Sequence, residues 1–155
     1  MNQTALVPIA DGSEDIEAIT IIDVLRRANV EVTVASVHEH QTITASRRTR
    51  ITADALLQDC VDQDYDLIAL PGGMPGARNL SECALLIDRL RRQREAGFWY
   101  AAICAAPAVA LAPHGLLDGV AATGHQAFRD DLPDRSRENE RVVVDGNCIT
   151  SQGPG

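Results

Sequence analysis

Phe98-Trp99-Tyr100-Ala101-Ala102-Ile103-Cys104-Ala105-Ala106-Pro107-Ala108-Val109-Ala110-Leu111 is the stretch on which the fold turns. Its first half is apolar and rich in aromatic and β-branched residues, the pattern of a buried strand. Its second half is Ala-rich, which favours helix, and Pro107 suits an early helical position, where a missing N–H costs little. No loop residues separate the halves, so the chain must turn sharply at or beside Cys104. That is the logic of a nucleophile elbow with Cys in place of Ser, and Ala102, Ala105 and Ala106 are small enough to let the turn pack closely. A thiol at a helix start faces unpaired N–H groups and the positive end of the dipole, which predicts a lowered pKa. The same residue also reads as a small buried hydrophobe, a common fate of free Cys.

Working outward, Ala5–Ala10 is a first strand, with Pro8 an awkward member because it lacks a ladder donor. Asp11-Gly12-Ser13 forms a turn, Ser13 is a candidate N-cap, and a helix is predicted over 14–28. Ile16, Ile19, Thr20, Val24 and Ala28 fall on one face at helical spacing. Glu14, Asp15 and Glu17 sit in the first turn, where the dipole favours acids, and Asn29 caps the end. Glu31–Val37 and Tyr65–Leu70 are further strands, with short extended pieces near 42–44 and 50–52. The second of these core strands runs into the glycine-rich Pro71–Ala77, then a helix ending at Gly97. A short strand is predicted near 121–123, followed by Gly124-His125. Arg141–Val144 and Asn147–Thr150, joined by Asp145-Gly146, carry a hairpin signal.

Strands alternating with helices predict an α/β fold with a mostly parallel sheet and helices on both faces, and sites in such sheets form at the carboxyl ends of strands. Asp11–Glu17, Pro71–Ala77, Cys104 and Gly124-His125 all lie at such ends. Gly73 and Ala105 backbone N–H groups are candidate oxyanion donors; the alternative for Pro71-Gly72-Gly73 is a simple tight turn. Glu17 is a candidate general acid or base if buried near Cys104, and otherwise complements the helix dipole. His125 is a candidate proton carrier or a structural residue. His38, His40 and His114 have no metal-ligand spacing and read as surface residues, so neither a metal nor a cofactor is expected.

The 155 residues suffice for one domain with a real core. No apolar run approaches a membrane span, and the N-terminus has no secretory n-region. Cys60, Cys83, Cys104 and Cys148 show no C-x-x-C spacing, which fits reduced thiols in a cytoplasm. A net charge of -8 disfavours nonspecific nucleic-acid binding.

The blocks ALVPIADGSEDIEAITIID (5–23), YDLIALPGGMPGARNL (65–80), AAICAAPA (101–108) and TSQGPG (150–155) together resemble the ThiJ/PfpI family, especially its YajL and parkinsonism-associated deglycase branch. The resemblance implies a flavodoxin-like three-layer sandwich related to class I glutamine amidotransferases. It also implies a nucleophilic Cys104, a protonated Glu17, oxyanion amides at Gly73 and Ala105, His125 near the pocket, and a homodimer. Members continue into a C-terminal helix, so the chain is expected to be a single domain over 1–155 lacking that helix. The implied activity is a cysteine-dependent deglycase or glutathione-independent glyoxalase acting on methylglyoxal, glyoxal or their early adducts. The alternative is a redox-sensing chaperone switched by oxidation of Cys104. Amidotransferase and protease chemistry are disfavoured because no base for a Cys-His-Glu triad is identifiable.

Overall fold

Five of the six residues of β1 (Thr4–Ile9) are buried, and a strand apolar on both sides belongs inside a parallel sheet covered on both faces. In the structure, a computed structural model that describes residues 1–154, β1 holds that place. Gly155, the last residue of the Thr150–Gly155 block, lies outside the described residues. After β1 come α1 (Asp15–Arg27), β2 (Glu31–Ser36), an antiparallel pair β3 (Thr42–Thr44) and β4 (Arg50–Thr52), β5 (Ala55–Leu56) and α2 (Leu57–Cys60). Then follow β6 (Leu67–Leu70), α3 (Gly76–Ser81), α4 (Ala84–Glu95), β7 (Trp99–Ile103), a single π-helical turn (Pro107–Leu111), β8 (Val142–Asp145) and β9 (Cys148–Ser151).

Seven strands lie in the order β5-β2-β1-β6-β7-β9-β8, and every neighbouring pair is parallel except β8–β9. One core cluster joins α2, α3, α4 and the π-helical turn to the sheet through residues such as Leu57, Leu80, Leu90, Tyr100 and Leu111. A second cluster, including Val7, Ile9, Ala18, Ile22 and Ile43, packs α1 and the β3–β4 pair on the opposite side. This is the mostly parallel α/β sheet with helices on both faces that the alternation of elements predicts, and the flavodoxin-like sandwich that the resemblance implies. No helix among the described residues is long and apolar enough to cross a membrane.

Pro8 is tolerated because β1 pairs with β6 only through Ala5 and Leu6, so that ladder ends before a donor at Pro8 is needed. Asn29 ends α1 in the left-handed region at φ 61°, and Gly146 turns the β8–β9 hairpin as its sequence predicts. Three expectations need correction. The face marked by periodicity on α1 points outward: Ile16, Ile19 and Val24 are 60%, 47% and 56% exposed, while Glu17, Ala18 and Ile22 face inward. The N-cap is Glu14, whose carboxylate accepts the Glu17 N–H; the Ser13 hydroxyl instead accepts the Ala10 N–H at 3.0 Å. Residues 121–123 form only an isolated bridge from Ala121 to Asp134, because the Thr123 N–H is taken by the Thr150 hydroxyl rather than by a neighbouring strand.

The turn after β1 and the start of α3 touch backbone to backbone. A Cβ on Gly76 would strike the Ser13 amide and lie 2.5 Å from the Gly12 carbonyl carbon, neither of which can give way. Gly76→Ala is therefore expected to cost roughly 3 kcal/mol of stability by overpacking. Urea denaturation measures it, and a midpoint equal to that of the wild type contradicts it.

Candidate functional site

The elbow predicted at Cys104 is present. Cys104 has φ 63°, left-handed backbone that a non-glycine residue adopts only under constraint. The constraint is visible: its N–H donates to Ser151 O at 2.9 Å, and its carbonyl accepts the His125 N–H at 2.7 Å. Ala105 and Ala106 behind it are buried, as their small size permits.

Three acids open α1, and none merely complements its dipole. Glu14 caps the helix. Asp15 holds the β3–β4 loop by accepting from Ser46, Arg47 and Thr49; burial opposes its ionisation, but those bonds together outweigh it and bring its carboxyl down to about 2. Glu17 is 2% exposed. Its Oε1 accepts the Gly72 N–H at 2.9 Å, while Oε2 is buried with no hydrogen-bond partner among the described residues. A buried carboxyl oxygen that no donor reaches is a natural seat for a proton. Burial raises the Glu17 pKa, opposed by the Gly72 amide and by the proximity of the Cys104 thiol.

Gly72 brings the two groups together. A Cβ there would lie 2.8 Å from both Cys104 Cβ and Glu17 Oε1. Gly73, at φ 88°, turns its amide towards the sulfur; a side chain on it would meet Glu14 N at 2.5 Å. The Cys104 thiol is pushed up to about 12, first by burial and then by the charge and hydrogen bond of Glu17, with the Ala105 and Gly73 amides pulling the other way. The expected lowering of this pKa is thus not found. Burial and an adjacent carboxylate outweigh the two amides. Glu17 and Cys104 compete for one negative charge, and their titration belongs to the pair.

An open cavity of about 810 Å³ stands over Cys104 and Glu17, walled by His125, Arg129, Arg141 and Gly153 among others. His125 Nδ1 accepts the Ala127 N–H at 3.1 Å, which leaves its proton on Nε2. The structure therefore gathers Cys104, Glu17, Gly73, Ala105 and His125 at one end of the sheet. It adds Gly153, where a Cβ would stand 3.8 Å from the Cys104 sulfur, together with Arg129 and Arg141. No local motif marks the two arginines; only the quoted Thr150–Gly155 block points at Gly153. The histidines read as surface residues are engaged: His114 Nε2 meets the Ser81 hydroxyl at 2.9 Å, and His38 and His40 both meet Asp11.

The DJ-1/PfpI family model matches residues 3–155. The chain is 47% identical over 150 residues to Protein DJ-1 homolog A of Arabidopsis thaliana, covering 97% of this chain and 38% of that protein. It thus spans well under half the length of that relative, and 34% of the length of the Arabidopsis homolog B. It is 34% identical over 152 residues to the Caenorhabditis elegans glutathione-independent glyoxalase DJR-1.2, covering 97% of this chain and 79% of that protein. A solved structure of oxidized Toxoplasma gondii DJ-1 superposes with a TM-score of 0.95 at 45% identity, covering 98% of this chain and 83% of that one.

A raised folded-state pKa at Glu17 stabilises the fold below the ordinary glutamate range, and that contribution is lost as pH rises through the folded value. Glu17→Gln, which cannot ionise, should therefore be more stable than the wild type at pH 7, with the gain vanishing near pH 4. Urea midpoints of the two proteins at both pH values measure the difference. A loss at pH 7, or an equal gain at both, contradicts the assignment.

Proposed function

The chain belongs to the DJ-1/PfpI family, and on that premise we propose that it is a cysteine-dependent enzyme acting on small reactive dicarbonyls such as methylglyoxal and glyoxal, or on their early adducts. The observation that carries this reading is the Glu17 carboxyl coupled to the Cys104 sulfur, with the Gly73 and Ala105 amides directed at the same atom. When the pair holds its proton on Glu17, sulfur carries the charge and is nucleophilic. It attacks the aldehyde carbon: a C–S bond forms, the carbonyl electrons move to oxygen, and the amides hold that oxyanion until Glu17 protonates it. The Glu17 carboxylate then removes the C–H proton from the hemithioacetal carbon and returns it to the neighbouring carbon, giving a thioester. Water hydrolyses the thioester to the hydroxy acid and restores the thiol. His125, with its proton on Nε2 at the cavity wall, is placed in this scheme to exchange protons with solvent.

A second reading, redox sensing, is favoured by the same two amides, which suit the oxygens of a sulfinate as well as an oxyanion. The two readings separate in one set of measurements. Purified protein should turn over methylglyoxal; Cys104→Ala should fall to background, and Glu17→Gln should lose roughly a hundredfold while remaining folded, since Gln cannot transfer a proton. If the wild type shows no turnover but mild peroxide adds about 32 Da at Cys104 and stops there, the sensor replaces the enzyme. Absence of both defeats both.

The exposed Ile16, Ile19 and Val24 on α1 suit burial against a second copy of the chain, and we carry the homodimer forward as part of this proposal. Four free thiols suit a reducing compartment, the cytoplasm in this account. Light scattering at micromolar concentration should give twice the mass of the chain, falling to the monomer in Ile19→Asp. A wild-type monomer contradicts the dimer.

A further inference from the structure

β1 and β2 are adjacent and parallel, so their carboxyl ends lie side by side. The first delivers Asp11 and the second delivers His38-Glu39-His40, in which an i, i+2 spacing allows both imidazoles to face the same way. They do so: the rings stack with centroids 4.8 Å apart and planes within 6°. Asp11 Oδ2 lies 3.2 Å from His40 Nε2 and 3.8 Å from His38 Nε2, and one ligand atom from each of the three residues falls within 4.8 Å of the others. Ligands bound at about 2.0–2.2 Å to one tetrahedral ion stand roughly 3.5 Å from each other, the spacing both imidazole–carboxylate pairs already have.

The surroundings fix these groups as an outer shell fixes metal ligands. Asp11 Oδ1 accepts the Thr44 N–H at 2.9 Å, which holds the carboxylate plane and leaves Oδ2 for the imidazoles. Asp11 O accepts from Asn79 Nδ2 at 2.8 Å. The Ser36 hydroxyl donates to His40 O at 2.8 Å and accepts from the His38 N–H at 3.2 Å, clamping the segment that carries both rings. The Asp11 N–H donates to His38 Nε2 at 2.9 Å, so that nitrogen carries a lone pair rather than a proton and points at Asp11. His40, whose side chain is 55% exposed, has room to tilt until its lone pair converges with that of His38.

We propose that Asp11, His38 and His40 bind one divalent first-row transition ion of the Zn²⁺ class. Two imidazoles and one carboxylate suit such an ion and argue against Mg²⁺ or Ca²⁺, which take oxygen ligands. On binding, the ion replaces the Asp11 amide on His38 Nε2 and takes the place of the proton on His40 Nε2, which passes to Nδ1 of the same ring. Water completes its coordination, because the side chains of Asp11 and His40 are 44% and 55% exposed. The ion would join the turn after β1, which leads directly into the helix bearing Glu17, to the loop after β2. The site stands apart from Cys104 and does not depend on the proposed dicarbonyl chemistry.

Calorimetric titration of the full chain with Zn²⁺ in a non-chelating buffer at neutral pH tests the site, before and after alkylation of accessible thiols with iodoacetamide. We expect one ion per chain in both preparations, and at least about tenfold weaker binding in each of His40→Asn, His38→Asn and Asp11→Asn. His40→Asn is the mildest change; it should melt like the wild type without metal and fail to gain the upward shift in Tm that Zn²⁺ gives the wild type. Binding that survives unchanged in His40→Asn, that disappears on thiol alkylation, or that is absent at about 100 μM Zn²⁺ overturns the proposal.

Discussion

The electrostatic coupling of a buried carboxyl to a neighbouring sulfur is the interaction around which this site is arranged. Neither group is well placed to ionise: Glu17 is nearly inaccessible and has one oxygen with no donor among the described residues, and the Cys104 thiol is raised by burial and by its neighbour. Separately, each would be expected to stay neutral near neutral pH or to seek another partner. Together each makes the other harder to ionise, and the amides of Gly72, Gly73 and Ala105 favour whichever of the two carries a negative charge beside them. Gly72 is indispensable to this arrangement because only a hydrogen fits between Cys104 Cβ and Glu17 Oε1.

The sheet supplies the frame. β1, β6 and β7 are consecutive parallel strands, so the segments leaving their carboxyl ends emerge next to one another. From β1 comes the turn into α1, from β6 the Gly72-Gly73 loop, and from β7 the left-handed Cys104. The fourth neighbour, β9, brings Gly153 to the sulfur and takes the Cys104 N–H on Ser151 O. The strained elbow persists because backbone partners on both sides over-determine it, as is usual where strain serves a site.

Much of this was legible in the residues themselves. The abrupt passage from Ile103 to Ala105 with no loop residues demands an elbow, and the elbow is there. Alternating elements demand a mostly parallel sheet, and the ends of β1, β6 and β7 foretell where its site lies. What stayed hidden depends on contacts between distant segments. Periodicity on α1 finds an apolar stripe but cannot say that it faces outward, since a buried Glu17 occupies the side where an apolar residue is expected. The helix-terminus rule for thiols points the wrong way at Cys104, because it contains no term for a carboxylate that is 87 positions away in sequence and adjacent in space. His38 and His40 look solitary until the pairing of β1 with β2 brings Asp11 to them.

The claim that most of the account rests on is the coupling of Glu17 with Cys104, and it can be observed at the sulfur itself. With ¹³C-labelled cysteine, the Cβ shift of Cys104 should follow pH in two steps in the wild type. The lower step lies above the ordinary carboxylate range and the upper one lies near 12. In Glu17→Gln the same resonance should titrate once, below the wild type's upper step, because the neighbouring charge is gone. A single step, identical in the two proteins, would mean that sulfur and carboxyl do not share a charge, and the mechanism built on that sharing would fail.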